Sequence, residues 1–112
     1  MRPDAVLGFA EPLLFSNQKR IVESIANMRI PAFFEFSSFT ENGALLSYGP
    51  SLRDLYARSA SYVARILEGA KAADLPMEYP TTFELVVNIK AAKALGLGIP
   101  PSIAISADRT VE

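Results

Sequence analysis

Between Ile30 and Pro50 the chain reads IPAFFEFSSFTENGALLSYGP, and this stretch constrains the fold more than any other. Residues 32–36 and 44–48 are short apolar runs that read as strands, separated by a one-turn helix. Ser38 and Glu41 stand at the Ser-x-x-Glu spacing of a capping box, in which each side chain satisfies an orphan backbone donor. Gly43 then suits a left-handed helix end. The run AFFEF is broken only by Glu35. A carboxylate late in a strand of this kind is costly unless it faces water, a partner or a crevice. It either points outward from an edge strand or borders a ligand site, because strand ends in parallel α/β sheets line such sites.

The remaining chain supplies alternating elements. Residues 4–10 form a short apolar run closed by Glu11-Pro12, read as a buried strand. Ser16 or Asn17 caps a helix to about Met28, whose Ile21, Val22, Ile25 and Met28 share one face. Arg29-Ile30-Pro31 stops it, since a residue before proline avoids the helical region. Strand, helix and strand make a right-handed βαβ unit with parallel strands. A second helix follows Pro50-Ser51 to about Gly69, with Leu55, Ser59, Tyr62, Val63, Ile66 and Leu67 as its inner stripe. After a proline-containing connector, residues 83–87 read as a fourth strand. Asn88 caps a helix over residues 89–95, which Gly96 closes. The tail holds one turn after Pro101 and an extended end. The class is α/β.

Composition narrows the function. At 112 residues the chain is one small domain, half of it hydrophobic and 21% charged, which argues for a packed globular structure. A net charge of −1 with scattered Lys and Arg gives no footprint for nucleic acid. There is no cysteine and no histidine, so thiolate sites, disulfides and the commonest general base are excluded. No catalytic pair is evident, and no cofactor is expected. No apolar run approaches the ~20 residues of a membrane span. The first residues, with one Arg and an apolar run cut at Glu11, do not read as a secretory signal.

Single motifs are weak. Gly96-Leu-Gly98 follows a helix and lacks a third glycine, so it reads as a helix end rather than a phosphate loop. Asp4 opens its strand, which leaves a receiver-type phospho-acceptor site without its acidic cluster. Phe33, Phe34, Phe36, Phe39 and Tyr48 read first as packing residues. Residues 11–17 join the carboxyl end of a strand to a helix. There Ser16 and Asn17 either cap their own helix or help to hold a polar group.

Longer segments carry a family resemblance. Gly43-Ala-Leu-Leu-Ser-Tyr-Gly49, Ile66-Leu-Glu-Gly-Ala-Lys-Ala-Ala-Asp-Leu-Pro76, Phe83-Glu-Leu-Val-Val-Asn-Ile-Lys90, Ala94-Leu-Gly-Leu-Gly-Ile-Pro-Pro-Ser102 and Ala107-Asp108 run in order along nearly the whole chain. Together they resemble the C-terminal part of ABC transporter substrate-binding proteins with a type I periplasmic-binding-protein fold. The branch is one in which transport of aromatic and other amino acids has been proposed. The resemblance implies a partial fold, from a truncated reading frame or a segment cut from a longer chain. Residues of about 1–43 and 83–112 would belong to the C-terminal lobe, and about 44–82 to the return into the N-terminal lobe. It further implies a small polar solute such as an amino acid between two lobes, an ABC permease as partner and a periplasmic or extracytoplasmic location. Glu11, Phe15, Ser16, Asn17, Glu35 and Tyr48 would line the crevice. In the complete fold the strands at Asp4 and Ala44 would pair with strands this chain lacks, and the open edges imply a homodimer. The rival readings are a flavodoxin-like α/β enzyme and a self-associating remnant that binds no solute.

Overall fold

The computed structural model describes residues 2–112. Strands β1 (Val6–Gly8), β2 (Ala32–Phe34), β3 (Leu46–Pro50), β4 (Phe83–Asn88) and β5 (Arg109–Val111) form one sheet in that order. The first three run parallel, as the βαβ reading requires. β4 lies antiparallel to β3 and parallel to β5. Six helices complete the chain: α1 (Pro12–Ser16), α2 (Gln18–Asn27), α3 (Ser37–Glu41), α4 (Leu52–Leu67), α5 (Ile89–Leu95) and α6 (Pro101–Ser106), with a 3-10 turn at Ala72–Asp74. None is long and apolar enough to cross a membrane.

The core forms where α2 and α3 cover one face of the sheet. Val22 and Ile25 of α2 are buried with Ile30, Ala32, Phe34, Phe39 and Ala44. Phe34 and Phe39 stack with ring centroids 4.3 Å apart. Burial of a side chain such as Phe34 is worth roughly 2–3 kcal/mol. Gly8 is needed beside it, because a Cβ there would overlap the Phe34 ring. Asn88 does what its position promised: its Oδ1 accepts from the Ala91 amide at 2.8 Å, and Gly96 ends α5 at φ 70°. Its Nδ2 also donates to the Thr40 carbonyl at 3.0 Å, tying β4 to α3.

Several expectations are corrected. The capping box does not form, because α3 starts at Ser37 behind Phe36. That start puts Ser38 at the second helical position rather than at the cap, and Glu41 turns instead to the Arg109 guanidinium. Ser16 and Asn17 do not cap α2 with their side chains, because Glu11 and Pro12 start the extra helix α1 ahead of them. The first strand lies at a sheet edge rather than buried, leaving Leu7 54% and Phe9 70% exposed. β3, expected to present an open edge, has neighbours on both sides, so the sheet's open edges are β1 and β5.

The inner stripe expected on α4 is not covered. No residue of this 16-residue helix is buried, and Leu67 is 82% exposed. One side is held by the return segment. Arg58 pairs with Asp54 at 3.0 Å and Glu78 at 3.5 Å and donates to the Thr81 hydroxyl. The Tyr62 hydroxyl donates to the Pro76 carbonyl at 2.6 Å. α4 therefore stands out from the sheet as an arm. The molecule measures 55 × 31 × 22 Å with a radius of gyration of 17.2 Å, against about 13 Å for a compact chain of this size.

Candidate functional site

Because β1, β2 and β3 are parallel neighbours, their carboxyl ends share one edge of the sheet, where ligand sites of open α/β sheets form. Of the six sequence-predicted residues, Glu35 follows β2, Tyr48 lies within β3, and Glu11, Phe15, Ser16 and Asn17 lie in or at the ends of α1, which follows β1. Glu35 directly follows β2, and its Oε2 accepts from the Ala10 amide at 2.9 Å. The end of β2 is thereby tied to the loop leaving β1. Gly49 in β3 lies against Glu35: a Cβ there would overlap the Glu35 carbonyl oxygen and stand 2.7 Å from its Cγ. Glu11 is the N-cap of α1, its Oε2 accepting from the Leu14 amide at 3.2 Å. Phe15 meets the Phe36 ring edge-on at 6.0 Å and the Phe39 ring at 6.3 Å.

Ser16 and Asn17 turn back onto α1. The Ser16 hydroxyl donates to the Pro12 carbonyl at 2.9 Å, and the Asn17 amide to the Leu13 carbonyl at 2.9 Å. Each keeps a side-chain oxygen able to accept. Tyr48, 54% exposed, stacks on Phe83 of β4 at 5.9 Å with 25° between the planes. Sequence reading missed Phe83 in this role, because only the antiparallel register of β3 and β4 sets the two rings on one face. It also missed Gly49, whose single-residue signal means nothing until β2 is known to lie beside it.

The chemistry available at this edge is therefore specific. Two carboxylates, Glu11 and Glu35, can accept hydrogen bonds from an ammonium, and the Tyr48–Phe83 pair offers an aromatic ledge. Among the described residues no cluster of three metal-ligating side chains occurs.

A second concavity lies at the opposite end of the sheet. It has a volume of about 530 Å³ and is bounded by α2, the turn after α3 and α5. Arg29 and Lys90 stand at its rim, and no sequence motif pointed to either.

Comparison with known proteins places this architecture. The family model described as "ABC transporter substrate binding protein" matches residues 3–111. The chain belongs to that family. A conserved domain protein from Vibrio cholerae shares 28% identity and superposes with a TM-score of 0.89, over 96% of this chain and 36% of its own. An ABC domain from Streptococcus pneumonia, solved in complex with L-Trp, shares 27% identity with a TM-score of 0.90, over 98% of this chain and 37% of its own. A substrate binding protein with adhesive properties from Clostridium difficile, in its ligand-free, open structure, shares the fold at 22% identity and a TM-score of 0.60. A search of the curated proteins returns no match. The chain thus spans just over a third of the length of these solved relatives.

Proposed function

We propose that this chain supplies one wall of an amino-acid-binding crevice in a solute-binding component of an ABC-type transport system. The observation that carries the reading is the junction at the carboxyl ends of β1–β3, where Glu35 is tied to Ala10 beside Glu11 and Tyr48 lies one strand away. Glu35 and Glu11 would receive the ammonium of the solute, and Phe15 and the Tyr48–Phe83 ledge its side chain. Ser16 and Asn17 would offer oxygen acceptors. The L-Trp held by the pneumococcal relative supports an aromatic or large apolar amino acid. Residues of about 44–82, with the exposed arm α4, would return into a second lobe. An ABC permease would be the partner, an extracytoplasmic compartment the location, and binding rather than catalysis the activity.

Thermal shift with L-Trp and the other amino acids tests this, since a ligand that binds only the folded state raises the midpoint. L-Trp at millimolar concentration is expected to raise it. Ser16→Ala and Glu35→Ala should each weaken binding by ~1–3 kcal/mol, the cost of leaving a polar partner unpaired. No shift with any amino acid, or unchanged affinity in both variants, defeats the assignment.

A second reading concerns assembly. The uncovered face of α4 and the open edge of β1 favour pairing of two copies. Light scattering after size exclusion decides it, since a mass of 12.2 kDa persisting at high concentration removes the homodimer.

A further inference from the structure

The cavity at the far end of the sheet is independent of the amino-acid crevice, and its rim carries a backbone anomaly. Arg29 adopts φ 53°, the only positive φ of a non-glycine residue among those described. It ends α2 in a Schellman arrangement: the Ile30 amide reaches back to the Ile25 carbonyl and the Arg29 amide to that of Ala26. Glycine is the residue this position favours, because a Cβ is strained there. A strained non-glycine residue beside a cavity points to a use for its side chain.

Charge and shape define that use. The floor is apolar, made by Val22, Ile25, Ile30 and Ala44. At about 530 Å³ the volume falls within the range of small-molecule sites. Arg29, just past the end of α2, and Lys90, in α5, both line the cavity, and neither forms a salt bridge among the described residues. Two carboxylates also line it: Glu41, already paired with Arg109, and Glu112. Arg29 and Lys90 thus stand unpaired beside an apolar floor, with Glu112, which carries both a side-chain and a terminal carboxylate, also in the lining.

We infer that this cavity binds a small amphiphilic anion, an apolar chain ending in a carboxylate. The chain would lie on the Val22–Ile25–Ala44 floor, and the carboxylate would sit between the Arg29 guanidinium and the Lys90 ammonium. Arg29 pairs with a carboxylate bidentately, which explains a cation where glycine would be less strained.

Octanoate is the probe, with 1-octanol as its uncharged counterpart, followed on the 112-residue chain by amide chemical shifts and thermal midpoint. Octanoate should move the signals of Gly43, Ala91 and Ala94, leave Ala10 and Glu35 in place, and bind about tenfold more tightly than octanol. Arg29→Gly should raise the ligand-free midpoint by about 4 °C while weakening octanoate about tenfold. Lys90→Gln, at an exposed helical position, tests the second cation without touching the cap, and should also weaken octanoate. Equal binding of octanoate and octanol, undiminished octanoate binding in Arg29→Gly, shifts confined to the Ala10 edge, or no shift at all would each overturn the assignment. L-Trp reports separately at the Ala10 edge, so failure of either site is told apart from failure of the other.

Discussion

Gly49→Ala is the perturbation that most directly tests how the sheet builds its carboxyl edge. The added methyl would overlap the Glu35 carbonyl oxygen and press on Glu35 Cγ at 2.7 Å. The oxygen belongs to the backbone at the end of β2, so it cannot swing aside as a side chain does. Overpacking of this kind costs about 1–3 kcal/mol. Moving Glu35 also loosens its hydrogen bond to the Ala10 amide, worth about another 1 kcal/mol. The expected loss is thus roughly 2–4 kcal/mol, or about 10 °C in midpoint for a chain of this length. Urea unfolding followed by circular dichroism measures it. In the Glu35→Ala background the Cγ contact and the clamp are gone while the carbonyl remains. Gly49→Ala should then still destabilise, but by about 1 kcal/mol less. A change below about 0.5 kcal/mol in the parent chain would refute the close approach of β2 and β3. Complete rescue by Glu35→Ala would refute the backbone part of the argument alone.

Further outcomes are expected elsewhere. Asn88→Ala removes both the α5 cap and the link to Thr40, and should cost about 2 kcal/mol by urea unfolding; a change under 0.5 kcal/mol contradicts the double role. The Tyr62 phenol is held above its ordinary pKa, first by desolvation and then by the adjacent Glu78 carboxylate, against Arg65 and Arg58. Because the folded value is raised, the neutral phenol's contribution is present below the unfolded pKa and lost as pH rises through the folded one. Ultraviolet titration should show one tyrosine ionising after the others, and Glu78→Gln should bring it forward; four superimposed titrations would contradict this. Arg58→Ala should free the return segment for proteolysis while costing at most about 1 kcal/mol, since the ion pairs are partly exposed.

Local signals in the chain were legible where the physics is local. Asn88 followed three residues later by an amide it can reach, and Gly96 at the end of a short apolar period, specified α5 at both ends. The shared edge of Glu11 and Glu35 was legible too, because parallel neighbouring strands must align their carboxyl ends. Ser38-x-x-Glu41 failed because a capping box depends on which residue is first to leave helical geometry. Phe36 took that place, and a shift of two positions left the Ser38 hydroxyl without a partner. Ser16 and Asn17 were misread for a similar reason. Glu11-Pro12 is itself a helix start, and a proline at the first helical position needs no amide partner. The register of β3 on β4, and with it the Tyr48–Phe83 ledge, depends on a 32-residue excursion between Pro50 and Phe83 that no local pattern describes.

The arm α4 shows what periodicity means and where its meaning stops. Leu55, Ser59, Tyr62, Val63, Ile66 and Leu67 repeat at the spacing of a helix with one apolar side, and the helix forms over Leu52–Leu67 as that spacing requires. A repeat of this kind states that some surface is suited to cover the stripe. It carries no statement that the surface lies in the same chain. Here the segment around Pro76 and Thr81 holds only the Arg58 and Tyr62 side, and Val63 remains 56% exposed. The chain spans just over a third of the length of the solved relatives. The same reasoning explains why Val22 and Ile25 of the α2 stripe were read correctly, their cover, Phe34 and Phe39, lying within a dozen residues of the helix end, whereas Met28, expected on the same face, is 50% exposed beyond that end. Short-range closure made one amphipathic helix a core element, and its absence left the other as an arm.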